Sequence, residues 1–87
     1  MTVFSVILSI KAKGEFLKLP SEIQTRIKKK LELAQENPFR HFERLKCRID
    51  YKLRVGDYRI IADIVNSQKT VEVTKIGHRK KVYKNLD

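Results

Sequence analysis

The feature that most constrains this chain is a change of period at residue 50. From Asp50 the sequence reads DYKLRV, then GD, then YRIIADIV. Tyr51, Leu53 and Val55 alternate with Asp50, Lys52 and Arg54, the two-residue repeat of a half-buried strand. Gly56-Asp57 is a two-residue hairpin turn signal. Residues 58–65 are apolar on both parities, as a central strand is. Asn66-Ser67-Gln68-Lys69 makes the next turn. TVEVTKI follows as the last long strand, with Val71 and Val73 inward and an end at Gly77. The second half of the chain therefore reads as a three-strand antiparallel meander.

The first half has a different rhythm. Residues 2–8 (TVFSVIL) are β-branched and aromatic, with Phe4, Val6 and Leu8 on one parity, which predicts a strand. Ser9 offers a helix N-cap, and Ala12, Phe16 and Leu19 recur at helical spacing. Gly14 weakens this helix by about 1 kcal/mol relative to Ala, so the helix leans on packing. Leu19-Pro20 ends it, and Pro20 suits the first turn of a second helix. That helix lines up Ile23, Ile27, Leu31 and Ala34, and Asn37-Pro38 stops it. Residues 39–49 read as irregular. The expected order is β-α-α-β-β-β, an α+β fold: an antiparallel sheet with a helical hairpin packed on one face, the first strand returning to pair within it. The other face is free to be polar and wet.

At 87 residues the chain is expected to form one domain spanning 1–87. The mostly apolar run from Val3 to Ile10, closed by Lys11 and Lys13, is too short to span a bilayer and lacks the parts of a signal peptide. A soluble cytoplasmic protein is the expectation. The single cysteine, Cys47, excludes an internal disulfide and reads as a small semi-buried residue. There is no GxxxxGK[ST], GxGxxG, HExxH or GxSxG motif. Two histidines, one cysteine and the scattered Asp50, Asp57 and Asp63 do not cluster as metal ligands, so no metal and no cofactor are expected.

The charge says more. Twenty Lys+Arg against ten Asp+Glu give a net +10, which points to a polyanionic or acidic partner. Residues 39–87 carry most of that excess, 13 basic against 6 acidic. If Tyr51, Leu53, Val55, Tyr58 and Ile60 face the helices, Lys52, Arg54 and Arg59 share the open face. The last strand is expected to deliver His78 and Arg79 near them, with Tyr83 at the rim. Cations on a rigid sheet beside a stackable ring suit single-stranded nucleic acid. Lys28-Lys29-Lys30 reads as a solvated helix face, and His41 has no evident role.

The segment Tyr51-Lys52-Leu53-Arg54-Val55-Gly56-Asp57-Tyr58-Arg59-Ile60-Ile61 and the tail Ile76-Gly77-His78-Arg79-Lys80-Lys81-Val82-Tyr83, with the β-α-α-β-β-β order, resemble the RelE/ParE toxin superfamily. Within it the chain is most similar to the RelE branch. The resemblance implies the toxin half of a type II toxin–antitoxin module, which cleaves mRNA in the ribosomal A site and is held by an acidic cognate antitoxin. It implies catalytic roles for Lys52, Arg59, Arg79 and Tyr83: Lys52 and Arg59 grip the scissile phosphate, Arg79 stabilises the transition state, and Tyr83 is base and stacking platform. Arg54, His78, Lys80 and Lys81 are expected to bind the RNA around them. Asp50 stands where some members carry a further lysine, and the spacing from Arg79 to Tyr83 is shorter than in those members. The ParE branch, which inhibits DNA gyrase on a similar scaffold, is the alternative, as is an RNA-binding relative without activity.

A ribonuclease of this kind lets the RNA 2′-OH attack the adjacent phosphate, leaving a 2′,3′-cyclic phosphate and a 5′-OH. Three tasks follow: remove the 2′ proton, neutralise the phosphorane, and protonate the leaving oxygen. Guanidinium forks match phosphate oxygens, which suits Arg59 and Arg79 to the second. Neighbouring cations favour the phenolate of Tyr83, and His78 is the second candidate for proton transfer.

Overall fold

The computed structural model describes residues 3–45 and 50–82. The elements run β1 (Ser5–Leu8), α1 (Ile10–Leu17), α2 (Ser21–Ala34), α3 (Pro38–His41), β2 (Glu43–Arg44), β3 (Tyr51–Val55), β4 (Tyr58–Val65) and β5 (Thr70–His78), with a 3-10 turn at Asn66–Gln68. The α+β class holds. The sheet has five strands in the order β1-β5-β4-β3-β2.

The meander β3-β4-β5 is antiparallel as expected, but β1 lies parallel to β5, pairing Ser5 with Thr70 and Leu8 with Val73. The sheet is therefore mixed rather than antiparallel throughout. Parallel neighbours need a long crossover, and here everything between β1 and β5 supplies it.

Local signals explain the helices. Ser9 Oγ accepts from Ala12 N at 3.0 Å, the N-cap that the sequence predicts. On α2, Ile27, Leu31 and Ala34 are buried along one stripe. Asn37-Pro38 does more than stop α2: Pro38 opens the short α3 in the first-turn position that its missing N–H favours. The stretch read as irregular also contains β2, which pairs Glu43 with Lys52 and Arg44 with Tyr51. A two-residue strand has no period to read. Cys47 lies outside the described residues.

The core lies between the helices and one sheet face. Leu53, Val55, Ile60, Ala62, Val71, Val73 and Ile76 meet Ala12, Ile27, Leu31 and Ala34 there. Burying one such large side chain is worth about 1.5–3 kcal/mol.

A bulge sets which way the end of β5 faces. Ala62 pairs with Val73 but Ile61 pairs with Lys75, so Thr74 is the extra residue. Thr74 Oγ1 donates to Ile61 O at 3.3 Å. The bulge reverses the parity set by Val71 and Val73: Lys75 and Gly77 turn outward, while Ile76 and His78 turn toward the helices. Beyond Val73, β1 no longer flanks β5, and Ile76 N instead donates to the Glu15 carboxylate of α1 at 2.9 Å.

The outer face is only partly open. Arg54, Ile7 and Glu72 are exposed, but Ile61, Lys75 and Arg59 are buried. The turn after β5 folds back over Gly77, where a Cβ would stand 3.5 Å from Val82 Cβ, and Val82 is buried. A wet, uncovered face was the expectation; a strip along β4 and β5 is covered instead. Among the described residues, no helix is long and apolar enough to cross a membrane.

Candidate functional site

The β3–β4 hairpin fixes the site. Gly56 takes φ +58°, the left-handed conformation that a two-residue turn requires. The resulting register puts Arg54 opposite Arg59 and Lys52 opposite Ile61. Lys52, Arg54 and Arg59 therefore share the outer face, as the strand parity predicts.

Two like charges directly opposite each other repel. Arg59 relieves part of that by folding down: Nη1 donates to Gly56 O at 2.8 Å and to Tyr58 O at 2.9 Å. The residue is 8% exposed. The guanidinium is thus anchored through Nη1.

Arg59 lines a cleft of about 280 Å³. The cleft forms at the edge of β3 past Lys52, before β2 begins at Glu43, where β3 has no outer strand neighbour among the described residues. Lys52, Arg54 and Arg59 line it, over Leu53, together with Lys30 from α2, His41 from α3 and Glu43 from β2. Sequence reasoning assigned Lys30 to a solvated face and gave His41 no role. Only the packing of α2 and α3 against the β3 edge brings them in, and no local pattern signals it. Glu43 Oε2 lies 3.9 Å from Lys52 Nζ, with the two side chains 79% and 34% exposed. Such a pair is worth about 0–1 kcal/mol and leaves Lys52 available to a stronger anion.

Arg79 is not in this cleft. Its backbone N donates to Asp57 O at 2.8 Å, and its Nε lies 3.8 Å from Asp57 Oδ1. Arg79 therefore stands beside the hairpin turn, while Lys52 and Arg59 share the cleft.

His78 departs from expectation. It pairs with Tyr58 on the helix side, their rings edge-on with centroids 5.6 Å apart. The bulge at Thr74 is the reason. Lys80 N donates to His78 Nδ1 at 3.2 Å. Lys80 and Lys81 are exposed in the turn after β5. Tyr83 lies outside the described residues.

Chemically, the cleft is a phosphate-sized seat walled by ammonium and guanidinium groups, with one imidazole. Among the described residues, no three His, Cys, Asp or Glu side chains are grouped to hold a metal ion.

Comparison with known structures places the fold. A chain of the toxin–antitoxin complex RelBE2 of Mycobacterium tuberculosis is 22% identical with a TM-score of 0.81, over 90% of this chain and 100% of that one. A chain of the intact E. coli RelBE toxin–antitoxin complex is 26% identical with a TM-score of 0.74, over 86% and 95%. The isolated E. coli RelE toxin is 24% identical with a TM-score of 0.75, over 86% and 83%. No curated protein sequence matches the chain. A family model does: that of the ParE toxin of type II toxin–antitoxin systems, parDE, matches residues 6–83, nearly the whole chain. The chain belongs to that toxin family, within the RelE/ParE superfamily of type II toxin–antitoxin toxins.

Proposed function

We propose that this toxin is a RelE-like endoribonuclease that cuts mRNA in the ribosomal A site. The observation that carries the reading is the anchored guanidinium of Arg59 beside Lys52 and Arg54 in one cleft. Donors fixed before the substrate arrives stabilise developing charge without reorganising, and this is commonly the largest single catalytic contribution.

In this reading the 2′-OH attacks the neighbouring phosphorus. The 2′-O–P bond forms and the P–O5′ bond breaks, leaving a 2′,3′-cyclic phosphate and a 5′-OH. The proton lost from the 2′-OH goes to a base, and the leaving 5′ oxygen gains one. Arg59 and Lys52 hold the non-bridging oxygens, and Arg54 guides the strand. Arg79 reaches the phosphorane from beside the turn, and Tyr83 serves as base and stacking ring, with His78 the second candidate for proton transfer. Lys80 and Lys81 add backbone contacts. The cleft is rich in cations and poor in proton carriers, so the ribosome supplies the orientation that the side chains do not. The site of action is then the cytoplasm.

The partner in this reading is an acidic antitoxin that covers the basic domain, supported by the net charge of +10 and by the complexes among the matched structures. A second reading, a ParE-type inhibitor of DNA gyrase, is favoured by the family model that matches. Induced expression separates the two. A fall in protein synthesis with new mRNA ends bearing 2′,3′-cyclic phosphates supports the nuclease. Induction of a DNA-damage response with intact mRNA overturns it in favour of gyrase.

A further inference from the structure

We propose that the groove between α2 and the β3–β4 turn is a second backbone-binding subsite, which carries a single RNA strand onward from the cleft. It rests on the nuclease reading for what lies in the cleft.

The groove holds about 240 Å³, and its charged walls are Arg26, Lys29, Lys30 and Arg54. Lys30 and Arg54 also wall the cleft, so the two hollows share a boundary and one strand can occupy both. Arg26, Lys29 and Lys30 recur at three- and four-residue spacing along α2 and therefore share one stripe of the helix. None of these four side chains makes a hydrogen bond or ion pair among the described residues. Glu32 stands next to Lys29 on a neighbouring hollow, but among the described residues no carboxylate lines the groove itself.

Arg26 is also seated. Its guanidinium lies over Gly56, where a Cβ would come within 3.3 Å of Nη2 and 3.6 Å of Nη1. The glycine that the turn needs thus also leaves space for this arginine. Leu33 and Val55 supply an apolar wall where a base or ribose can rest. A row of cations with no carboxylate partner among the described residues, continuous with a phosphate seat, matches a polyanionic backbone, whose affinity comes from counterion release.

The test uses Arg26→Gln/Lys29→Gln, exposed positions of the groove that do not line the cleft, with folding checked by thermal unfolding. The probes are uncleavable 2′-O-methyl oligonucleotides of about three and about eight nucleotides, bracketing the small site sizes of single-strand grooves. The long probe is expected to bind the native chain more tightly. The double variant should lose roughly tenfold for the long probe, leave the short one unchanged, and reduce the slope of log K against log salt by about 1.4, at about 0.7 per phosphate contact. Unchanged long-probe affinity and slope would overturn the inference. So would equal affinity for an oligo-glutamate peptide, which would mean that the groove reads charge alone. Arg59→Gln is the reference arm. If it abolishes short-probe binding while the groove variants do nothing, the groove fails and the nuclease reading stands. If it leaves the short probe untouched while the length effect persists, the groove stands and the cleft assignment falls.

Discussion

Arg54 and Arg59 face each other directly across the β3–β4 hairpin, one exposed and one folded down onto the carbonyls of Gly56 and Tyr58. A structural role would favour an opposite-charge or aromatic pair at that position. Two arginines there concentrate positive charge at one spot of the sheet, and the backbone of the turn holds one of them in place.

Arg59→Ala should therefore act twice. Cleavage of ribosome-bound mRNA should fall by roughly 10²–10³, the scale of losing one preorganised donor. Stability should fall by about 1–3 kcal/mol, because two carbonyls lose their donor. Arg59→Lys should recover part of the stability and little of the rate, since an ammonium lacks the planar fork. Urea unfolding and primer-extension mapping of cleavage check both.

Arg79→Ala should separate the two effects. Its pairing with Asp57 is long and exposed, and the backbone bond from residue 79 to Asp57 survives the change. Stability should move by no more than about 0.5 kcal/mol. Growth arrest on induction should nevertheless disappear. An Arg79→Ala chain that arrests growth as the native one does would remove Arg79 from the mechanism.

Lys75→Met should stabilise the protein. Lys75 is 6% exposed, and its Nζ has no hydrogen-bond partner among the described residues. An unsatisfied buried polar group costs about 1–3 kcal/mol, and methionine fills similar space without it. A rise in the urea midpoint with the m-value unchanged is the expected result; a fall would mean that the ammonium is satisfied in solution.

Gly56→Ala should destabilise by about 1–2 kcal/mol, the cost of a side chain at positive φ. The new methyl also presses on the Arg26 guanidinium. Oligonucleotide binding should therefore weaken beyond what the stability loss explains, in a titration run well below the melting temperature.

The legible parts of this chain are those with a period. The alternation of Tyr51, Leu53 and Val55 about Gly56-Asp57 yields the hairpin and its register, and with them the shared face of Lys52, Arg54 and Arg59. The spacing of Ile27, Leu31 and Ala34 yields α2. What escapes is set between elements. Lys30 and His41 reach the cleft only because helices pack against an unflanked strand edge. The direction of β1 depends on a partner far along the chain. His78 is misplaced by simple alternation because a single bulge at Thr74 reverses everything after it.

The parallel pairing of β1 with β5 also orders events in time. Ser9 meets the backbone of Thr74 across 65 residues of chain, and Ser5 meets Thr70. The first strand has no strand neighbour among the described residues until β5 is free to pair with it, and contacts this distant form slowly. The hairpin bearing Arg54 and Arg59 can close earlier, but the sheet that stiffens it waits for β5. Completion of the sheet, and with it the rigidity of the hairpin, is therefore tied to the arrival of its last strand.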